Sequence, residues 1–293
     1  MNMRYLGCLK MKRSMIAVVG VVAVLLAAGA AFAGSNATNY FQGWENPAWV
    51  PGMPDWTSVT RVASGTHSIT SATGVGHAEA VGGAGSKNGG YSAEWGGGWK
   101  ESLDIYMDTG KTSDAKYSWV LTTAINKNVS GTATHLQDNI FMCAADPTVG
   151  KFVLGATNNC DWVPDSGFVR NSANGSELNL TQSGWLTFEW DYFQDGTQEK
   201  SKYNVYDASD SLLWTRNGPS HDLNDCDGLG NPIGGNRYAW FIYIKETVGG
   251  GQGNSWLAID NSSTQYVPEP VTMAGLMLGI GSVLTYVRKR RTA

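Results

Sequence analysis

Most of the chain alternates apolar and polar residues at every second position, which is the period of a half-buried β-strand. In "SLDIYMD", Leu103 and Ile105 share one face, and in "WLTFEWDYF", Phe188 and Trp190 do. The segment "RYAWFIYIK" is apolar on both faces, as a central strand would be. About a dozen such runs are separated by clusters of Gly, Asn, Asp and Ser, without a convincing long helix. The pattern predicts an all-β fold, a two-sheet jelly-roll sandwich over residues 34–266.

Turn residues and glycines refine this prediction. In "YNVYDASDSLLW", positions 207–211 are polar and predict the turn of a β-hairpin. Two glycine-rich stretches, 82–98 and 249–253, predict long flexible loops.

The tryptophans fall into two groups. Trp119, Trp190 and Trp240 lie on apolar strand faces and are predicted to be in the core. Trp95 and Trp99 lie in the first glycine-rich stretch and are predicted to be exposed. An exposed indole ring offers an apolar face on which a sugar ring can stack, so these two are the candidate glycan-binding residues.

The N-terminus predicts a cleaved secretory signal peptide over residues 1–33. Three basic residues at positions 10–13 precede an apolar run at 15–32, and Ala31 and Ala33 supply the small side chains that signal peptidase requires. The alternative is a retained transmembrane helix. The Ala- and Gly-rich composition and the cleavage pattern favour removal.

Removal of both ends makes the remaining body strongly acidic. Eight of the 21 basic residues lie in the two terminal segments, which leaves 13 against 24 acidic residues and a net charge of about −11. Binding to nucleic acid through phosphates requires a basic surface, so nucleic acid is excluded as a partner. A cationic ligand or a neutral polysaccharide fits the charge better.

Three cysteines remain once Cys8 leaves with the signal peptide. In an oxidising compartment Cys143 and Cys160 are the most plausible disulfide, and Cys226 is then unpaired. No CxxC occurs, so a zinc ribbon or a redox motif is not indicated.

One loop, "HDLNDCDGLGNP", gathers hard oxygen ligands of the kind Ca²⁺ prefers. It departs from the known calcium-loop pattern, because Leu223 falls where the first Asp is needed if Gly228 is placed at position six. The alternative is a turn in which these side chains bind their own backbone. The candidate calcium ligands are Asp222, Asn224, Asp225 and Asp227.

One acidic pair suits glycoside hydrolysis, which needs two carboxylates flanking the scissile bond. Glu189 and Asp191 lie two residues apart on one strand face, like half of a jelly-roll glucanase motif. The required third acid is missing, since Tyr192, Phe193 and Gln194 follow. The pair therefore predicts a polar, solvated strand face, and no catalytic residue is predicted.

The body resembles the exported β-sandwich domains of bacterial surface proteins with concanavalin A-like or laminin-G-like architecture. The opening "GWENPAWVPG", the strand "SGWLTFEWDYF" and the closing "LAIDNSS" carry this resemblance. It implies a domain type that often has no assigned activity and in many members binds Ca²⁺ in its loops.

The last 27 residues, 267–293, combine a Pro-Glu-Pro motif, an apolar run at 271–287 and a basic tail. The run has 17 uncharged residues, the lower limit for a spanning helix. The tail would stay cytoplasmic. An ordinary single-pass anchor is the alternative to a removable signal. The motif comprises Pro268, Glu269 and Pro270, and the tail comprises Arg288, Lys289, Arg290 and Arg291.

This order of elements strongly resembles the PEP-CTERM sorting signal. The resemblance implies recognition by an exosortase, processing near the Pro-Glu-Pro motif, and a Gram-negative host that makes extracellular polysaccharide. The expected partners are signal peptidase, exosortase, transiently the inner membrane, and extracellular polysaccharide. We therefore expect a non-enzymatic structural or adhesive protein of the cell surface or extracellular matrix, with weak glycan binding. The alternatives are a Ca²⁺-dependent lectin and a jelly-roll glycoside hydrolase.

Overall fold

A computed structural model describes residues 39–52, 55–87, 92–113, 117–158, 177–245 and 255–267. These residues belong to one compact unit, Asn36–Val267. Across the described ranges, no helix is both long and apolar enough to cross a membrane. Several predictions lie outside the described residues: the signal peptide with Ala31 and Ala33, Cys160, the glycine-rich stretch 249–253, the motif Pro268 to Pro270, the apolar run 271–287 and the tail Arg288 to Arg291.

The described residues form thirteen β-strands and two short 3₁₀ turns, without an α-helix. The all-β prediction is confirmed. The strands are β1 (Tyr40–Gln42), β2 (Trp56–Ala63), β3 (Gly76–Ser86), β4 (Gly98–Met107), β5 (Ser118–Val129), β6 (Thr132–Asp146), β7 (Lys151–Asn158), β8 (Leu178–Leu180), β9 (Gly184–Asp195), β10 (Gln198–Asp207), β11 (Leu212–Asp222), β12 (Ile233–Lys245) and β13 (Trp256–Val267). The 3₁₀ turns are Thr66–Ser68 and Thr109–Ser113.

All pairings are antiparallel, and they link the strands into one hydrogen-bonded sheet. The strand order is β11-β10-β9-β4-β13-β3-β12-β5-β6-β7-β8, with β1 added beside β13 and β2 beside β3. Where two separate sheets were expected, one continuous sheet therefore curves until its halves face each other, in a nearly barrel-like arrangement. The predicted hairpin is confirmed, since Asp207 N donates to Ser211 O across the turn between β10 and β11.

The turning point of the sheet is β3, which pairs with two different strands along its length. Residues 78–81 pair with β13, whereas residues 84–86 pair with β12. Gly83 lies between these two parts with φ of 87°, a conformation that glycine adopts without steric cost. Strands that change sheets commonly do so at such bends. The prediction that 82–98 forms one loop is therefore wrong at both ends, because these glycines continue β3 and begin β4.

The two halves of the sheet pack through large aromatic side chains. Phe141 on β6 has its ring centroid 5.2 Å from that of Phe188 on β9 and 4.9 Å from that of Trp190. Trp119 on β5 meets Phe188 edge-on at 5.3 Å. Trp119, Trp190 and Trp240 are all buried, as predicted, because their positions on alternating strands face the space between the halves.

Candidate functional site

The interior changes character along the strands. On β9 the inward side chains run from Leu186 and Phe188 to Trp190 and Tyr192. On β4 the order reverses with strand direction, so that apolar residues lie opposite the start of β9 and polar or aromatic residues lie opposite its end. One end of the interior is therefore apolar and the other is polar. We call the second the polar end and define it as Trp99, Glu101, Thr123, Gln137, Asn139, Tyr192, Glu199, Tyr203 and His221.

A hydrogen-bonded chain crosses the polar end between the two halves of the sheet. Asn139 Nδ2 on β6 donates to the Tyr192 hydroxyl oxygen on β9 at 2.8 Å. The Tyr203 hydroxyl on β10 lies 2.9 Å from both Asn139 Oδ1 and the Thr157 carbonyl oxygen. Burial, together with the nearby Glu101 and Glu199, raises the pKa of Tyr192 well above its usual value. The chain fixes the positions of two tyrosines and one amide.

Glu101 is a buried carboxyl with polar partners. It lies on the inward face of β4, next to Leu103, and is fully buried. The Thr123 hydroxyl donates to one of its oxygens and Asn236 Nδ2 to the other. Burial raises the pKa of Glu101 well above its usual value, and these hydrogen bonds oppose the rise.

Glu199 is a buried carboxyl without polar partners. It lies on β10, opposite Gln194 on β9 and His221 on β11, and is 1% exposed. Neither carboxyl oxygen has a hydrogen-bond partner within the described ranges. Burial raises the pKa of Glu199 to about 8. An unsatisfied buried carboxyl is costly, so such a group in a native protein needs an explanation.

His221 lies opposite Glu199, and its surroundings favour the neutral form of the ring. Its Nε2 is hydrogen-bonded to Gln137 Oε1, and because an amide oxygen only accepts, Nε2 must carry the proton. Burial lowers the pKa of His221 below its usual value. A neutral ring protonated on Nε2 leaves Nδ1 as an acceptor.

The candidate glycan-binding tryptophans lie at the polar end, but they are not equally exposed. Trp99 is only 6% exposed and stacks on Tyr192, with centroids 4.7 Å apart, so its predicted exposure is wrong. It is buried because β4 begins at Gly98 and its alternation turns Trp99 to the same face as Glu101. Trp95 is partly buried, lies 5.1 Å from Trp99, and donates from Nε1 to Gln194 Oε1 at 3.2 Å. The three rings form an aromatic row.

The candidate calcium ligands are engaged within their own loop. Asp222 Oδ1 accepts the Asn224 N–H at 2.8 Å, and Asp225 Oδ1 accepts the Gly230 N–H at 3.0 Å. Asp227 accepts from Lys127 Nζ at 2.9 Å, which with further hydrogen bonds lowers its pKa. Within the described ranges, no group of three or more His, Cys, Asp or Glu is placed to hold a metal ion. Calcium binding here stays a prediction, and the self-bonded turn accounts for these side chains.

The acidic pair Glu189 and Asp191 lies on the outer face of β9. Lys100 bridges both, with Nζ 3.3 Å from Glu189 Oε1 and 3.6 Å from Asp191 Oδ2. Asn204 Nδ2 and the Tyr206 hydroxyl also donate to Glu189, at 3.1 and 3.2 Å. Burial raises the pKa of Asp191, and Lys100 opposes the rise. The pair belongs to a polar strand face, as expected.

The two buried glutamates are also poorly placed to act together. Glu101 lies opposite Trp190, and Glu199 lies opposite Gln194, four residues farther along β9. At about 3.3 Å per residue and about 4.8 Å per strand, their α-carbons are roughly 16 Å apart. Glycosidase carboxyl groups are about 5–9.5 Å apart. Side chains that leave the same face of a sheet do not close that gap easily.

Cys143 lies inward on β6 and is buried. Burial raises the pKa of this thiol well above its usual value. Because Cys160 lies outside the described residues, the Cys143–Cys160 pairing stays a prediction.

Sequence reasoning overlooked Glu101, Glu199 and His221. The first two had a readable signal. In "WKESLDIYM" the apolar face that includes Leu103 continues back through Glu101, and in "QEKSKYNVY" the face that includes Tyr203 continues back through Glu199. A charged residue in phase with a core face indicates a buried carboxyl. His221 had no such signal, because its burial depends on β6 from the opposite half.

Comparison with protein-family models found no match, and comparison with curated proteins found none. Among solved structures, a crystal structure of a protein of unknown function from Shewanella oneidensis MR-1 is similar. The two chains are 12% identical, and the alignment covers 78% of this chain and 89% of the Shewanella chain, with a TM-score of 0.32. At that score the similarity carries no argument about fold or function.

Proposed function

We propose that residues 34–266 are a non-catalytic glycan-binding domain, exported to the cell surface or extracellular matrix, that binds its ligand at the polar end. The observation that carries the proposal is the aromatic row Trp95, Trp99 and Tyr192 beside buried polar groups that lack partners. Small-ligand sites combine apolar and aromatic walls with a few precisely placed polar groups. The polar end has this composition.

The chemistry of a sugar matches both parts of the site. A pyranose presents C–H groups that pack on an aromatic face and hydroxyl groups that both donate and accept hydrogen bonds. Trp95 offers the more accessible ring, and Trp99 and Tyr192 continue the row inward. Within the described ranges, Trp190 Nε1, Asn236 Oδ1 and both Glu199 oxygens have no hydrogen-bond partner, so donors and acceptors are both available.

A binding role is favoured over glycoside hydrolysis for two reasons. Glu101 and Glu199 are farther apart than a hydrolytic pair, by their strand register. Glu189 and Asp191 lie on the outer face and are bridged by Lys100. Neither arrangement leaves two carboxyl groups flanking one bond.

Ligand binding can be tested by titration calorimetry on the full-length chain in mild detergent, using oligosaccharides first selected on a glycan array. Trp95→Ala should weaken binding by about tenfold or more, because an aromatic anchor at the centre of a site often contributes 1.4 kcal/mol or more. Trp185→Ala is the matched control, since Trp185 lies at the opposite end of β9 on the outer face and donates to Thr70 O. Equal losses in both variants, or no binding to any array member, would refute the proposal.

The proposal includes jelly-roll connectivity, export through the inner membrane and processing at the Pro-Glu-Pro motif, on the strength of the sequence patterns at the two ends. The test is intact mass of the mature protein with cell fractionation. We expect a species that has lost residues 1–33 and the basic tail, in the surface or extracellular fraction. A stable species that still carries Arg288 to Arg291 would refute processing.

A further inference from the structure

We infer that the ligand carries a free ammonium group, as an unacetylated amino sugar does, and that Glu199 is the residue that receives it. The inference rests on the proposed glycan binding at the polar end and adds a ligand class and a specificity-determining residue to it. Three independent features of the described residues support it.

The first feature is the isolation of the Glu199 carboxyl. It is 1% exposed, and both of its oxygens lack hydrogen-bond partners among the described residues. Every other strand-borne carboxyl at this end of the molecule has partners, as Glu101 does in Thr123 and Asn236. A carboxyl held away from water with both oxygens unused is poised to accept from a donor that arrives with the ligand.

The second feature is the direction of the basic side chains on the neighbouring strands. Lys200, next to Glu199, lies on the outer face and pairs with Asp195. Lys100 on β4 also lies on the outer face, with Glu189. Arg216 on β11 points inward, but its guanidinium donates to the Ala156 carbonyl oxygen on β7. His221 lies opposite Glu199 on the next strand, but burial lowers its pKa and so disfavours its charged form, and its Nε2 donates to Gln137. In the described ranges no cation balances an ionised Glu199, so burial keeps the carboxyl protonated at neutral pH. A bound ammonium group takes the place of that proton, which is released to the buffer.

The third feature is the match between the acceptor atoms near Glu199 and the donors of an ammonium group. A primary ammonium has three N–H donors. The two Glu199 oxygens and the free Nδ1 of His221 are three acceptors on adjacent strands. The acidic body also raises the local concentration of cations.

The test compares two hexamers that differ only in acetylation: the chitosan hexamer, with free amines, and its fully N-acetylated counterpart. Affinities are measured by titration calorimetry at pH 6 with the full-length chain in 0.3 M NaCl, which screens general attraction. We expect the amine hexamer to bind at least tenfold more tightly. Glu199→Gln should abolish this preference, whereas Glu189→Gln on the outer face should retain it.

Each outcome separates the inference from the function on which it rests. If the acetylated hexamer binds as tightly as the amine hexamer or more tightly, the ammonium inference is overturned and glycan binding stands. If Glu199→Gln keeps the full preference while its melting temperature shows a folded protein, the role of Glu199 is overturned. If neither hexamer binds and no array oligosaccharide binds, the proposed function fails first.

Discussion

The two ends of the interior are built from the same strands but differ in composition. At the apolar end, Leu103 and Phe188 are fully buried among aromatic and aliphatic neighbours. Glu101 lies two residues before Leu103 on β4, and Tyr192 lies four residues after Phe188 on the antiparallel β9. Both occupy the same inward face. The apolar end stabilises the sandwich by burying hydrocarbon. The polar end reduces stability through desolvated carboxyl groups, a cost that the proposed binding site would explain.

The largest expected effect is at the apolar end. Phe188→Ala should lower the free energy of unfolding by about 3–5 kcal/mol, because it leaves a cavity between Trp119 and Phe141. Urea denaturation measures this loss. The control is Phe241→Ala, since Phe241 is 41% exposed and should cost much less. Similar losses in the two variants would contradict the assignment of Phe188 to the packed core.

The next effect is a fall in stability with rising pH, caused by the polar end. Burial raises the folded-state pKa of Glu199 to about 8, so between its unfolded value and pH 8 the folded state binds more protons than the unfolded state. Stability is therefore greatest below the unfolded pKa and is lost as pH rises. Between pH 6.5 and 8 the loss should be about 2 kcal/mol.

Comparison with Glu199→Gln isolates this carboxyl group, because Glu101 and Asp260 also have raised pKa values and contribute to the same pH dependence. His221 acts in the opposite direction. Its pKa is lower in the folded state than in the unfolded state, so the free energy of unfolding falls as the pH drops below the unfolded pKa. Above pH 6.5 this contribution changes little. Urea midpoints at pH 6.5 and 8 for the native chain and for Glu199→Gln give the contribution of Glu199. A pH dependence unchanged by the substitution would rule out Glu199 as its source.

A substitution at the polar end should raise the free energy of unfolding, whereas the substitution at the apolar end lowers it. Glu199→Leu at pH 8 should raise the free energy of unfolding by about 1–2 kcal/mol, because it replaces a desolvated carboxyl with an apolar group of similar volume. Ligand binding should be lost in the same variant. Thermal melting and calorimetry measure the two results. Destabilisation by this substitution would mean that Glu199 has a stabilising partner in the folded protein.

The smallest effect is on the outer face. Lys100→Met removes the pairs with Glu189 and Asp191, which are only partly buried, and should cost less than about 1 kcal/mol. The difference from the native chain should shrink further in 1 M NaCl, because salt screens such pairs. A cost above that range, or one insensitive to salt, would assign this cluster more than the role of a polar strand face.

Local alternation predicted much of the fold. The strands at Leu103, Trp119 and Trp190, the central strand at Trp240 and the turn after Asp207 all follow from residues within about ten positions of one another. In each case the side-chain period of two decides which face is buried, and no distant contact is required.

The errors arose where local pattern and distant contacts disagreed. Glycines at the end of β3 were interpreted as loop residues, although Gly83 bends a strand that pairs with β13 on one side of the bend and β12 on the other. Trp99 was expected to be exposed because glycines precede it, whereas its ring packs on Tyr192 from β9. Neither partner is near in sequence.

The sequence alone determined the all-β class, the alternation that turns Glu101 and Glu199 inward, and the acidic charge of the body, since each depends on residue type and local period. Only the tertiary structure decided that β4, β6, β9, β10 and β11 meet at one end, with His221 neutral beside Glu199 and Lys100 and Lys200 on the opposite face. That meeting depends on strand order and on the bend in β3. Pairings between strands far apart in the sequence, such as β4 with β9 and β3 with β13, set both, and no local pattern of side chains encodes them.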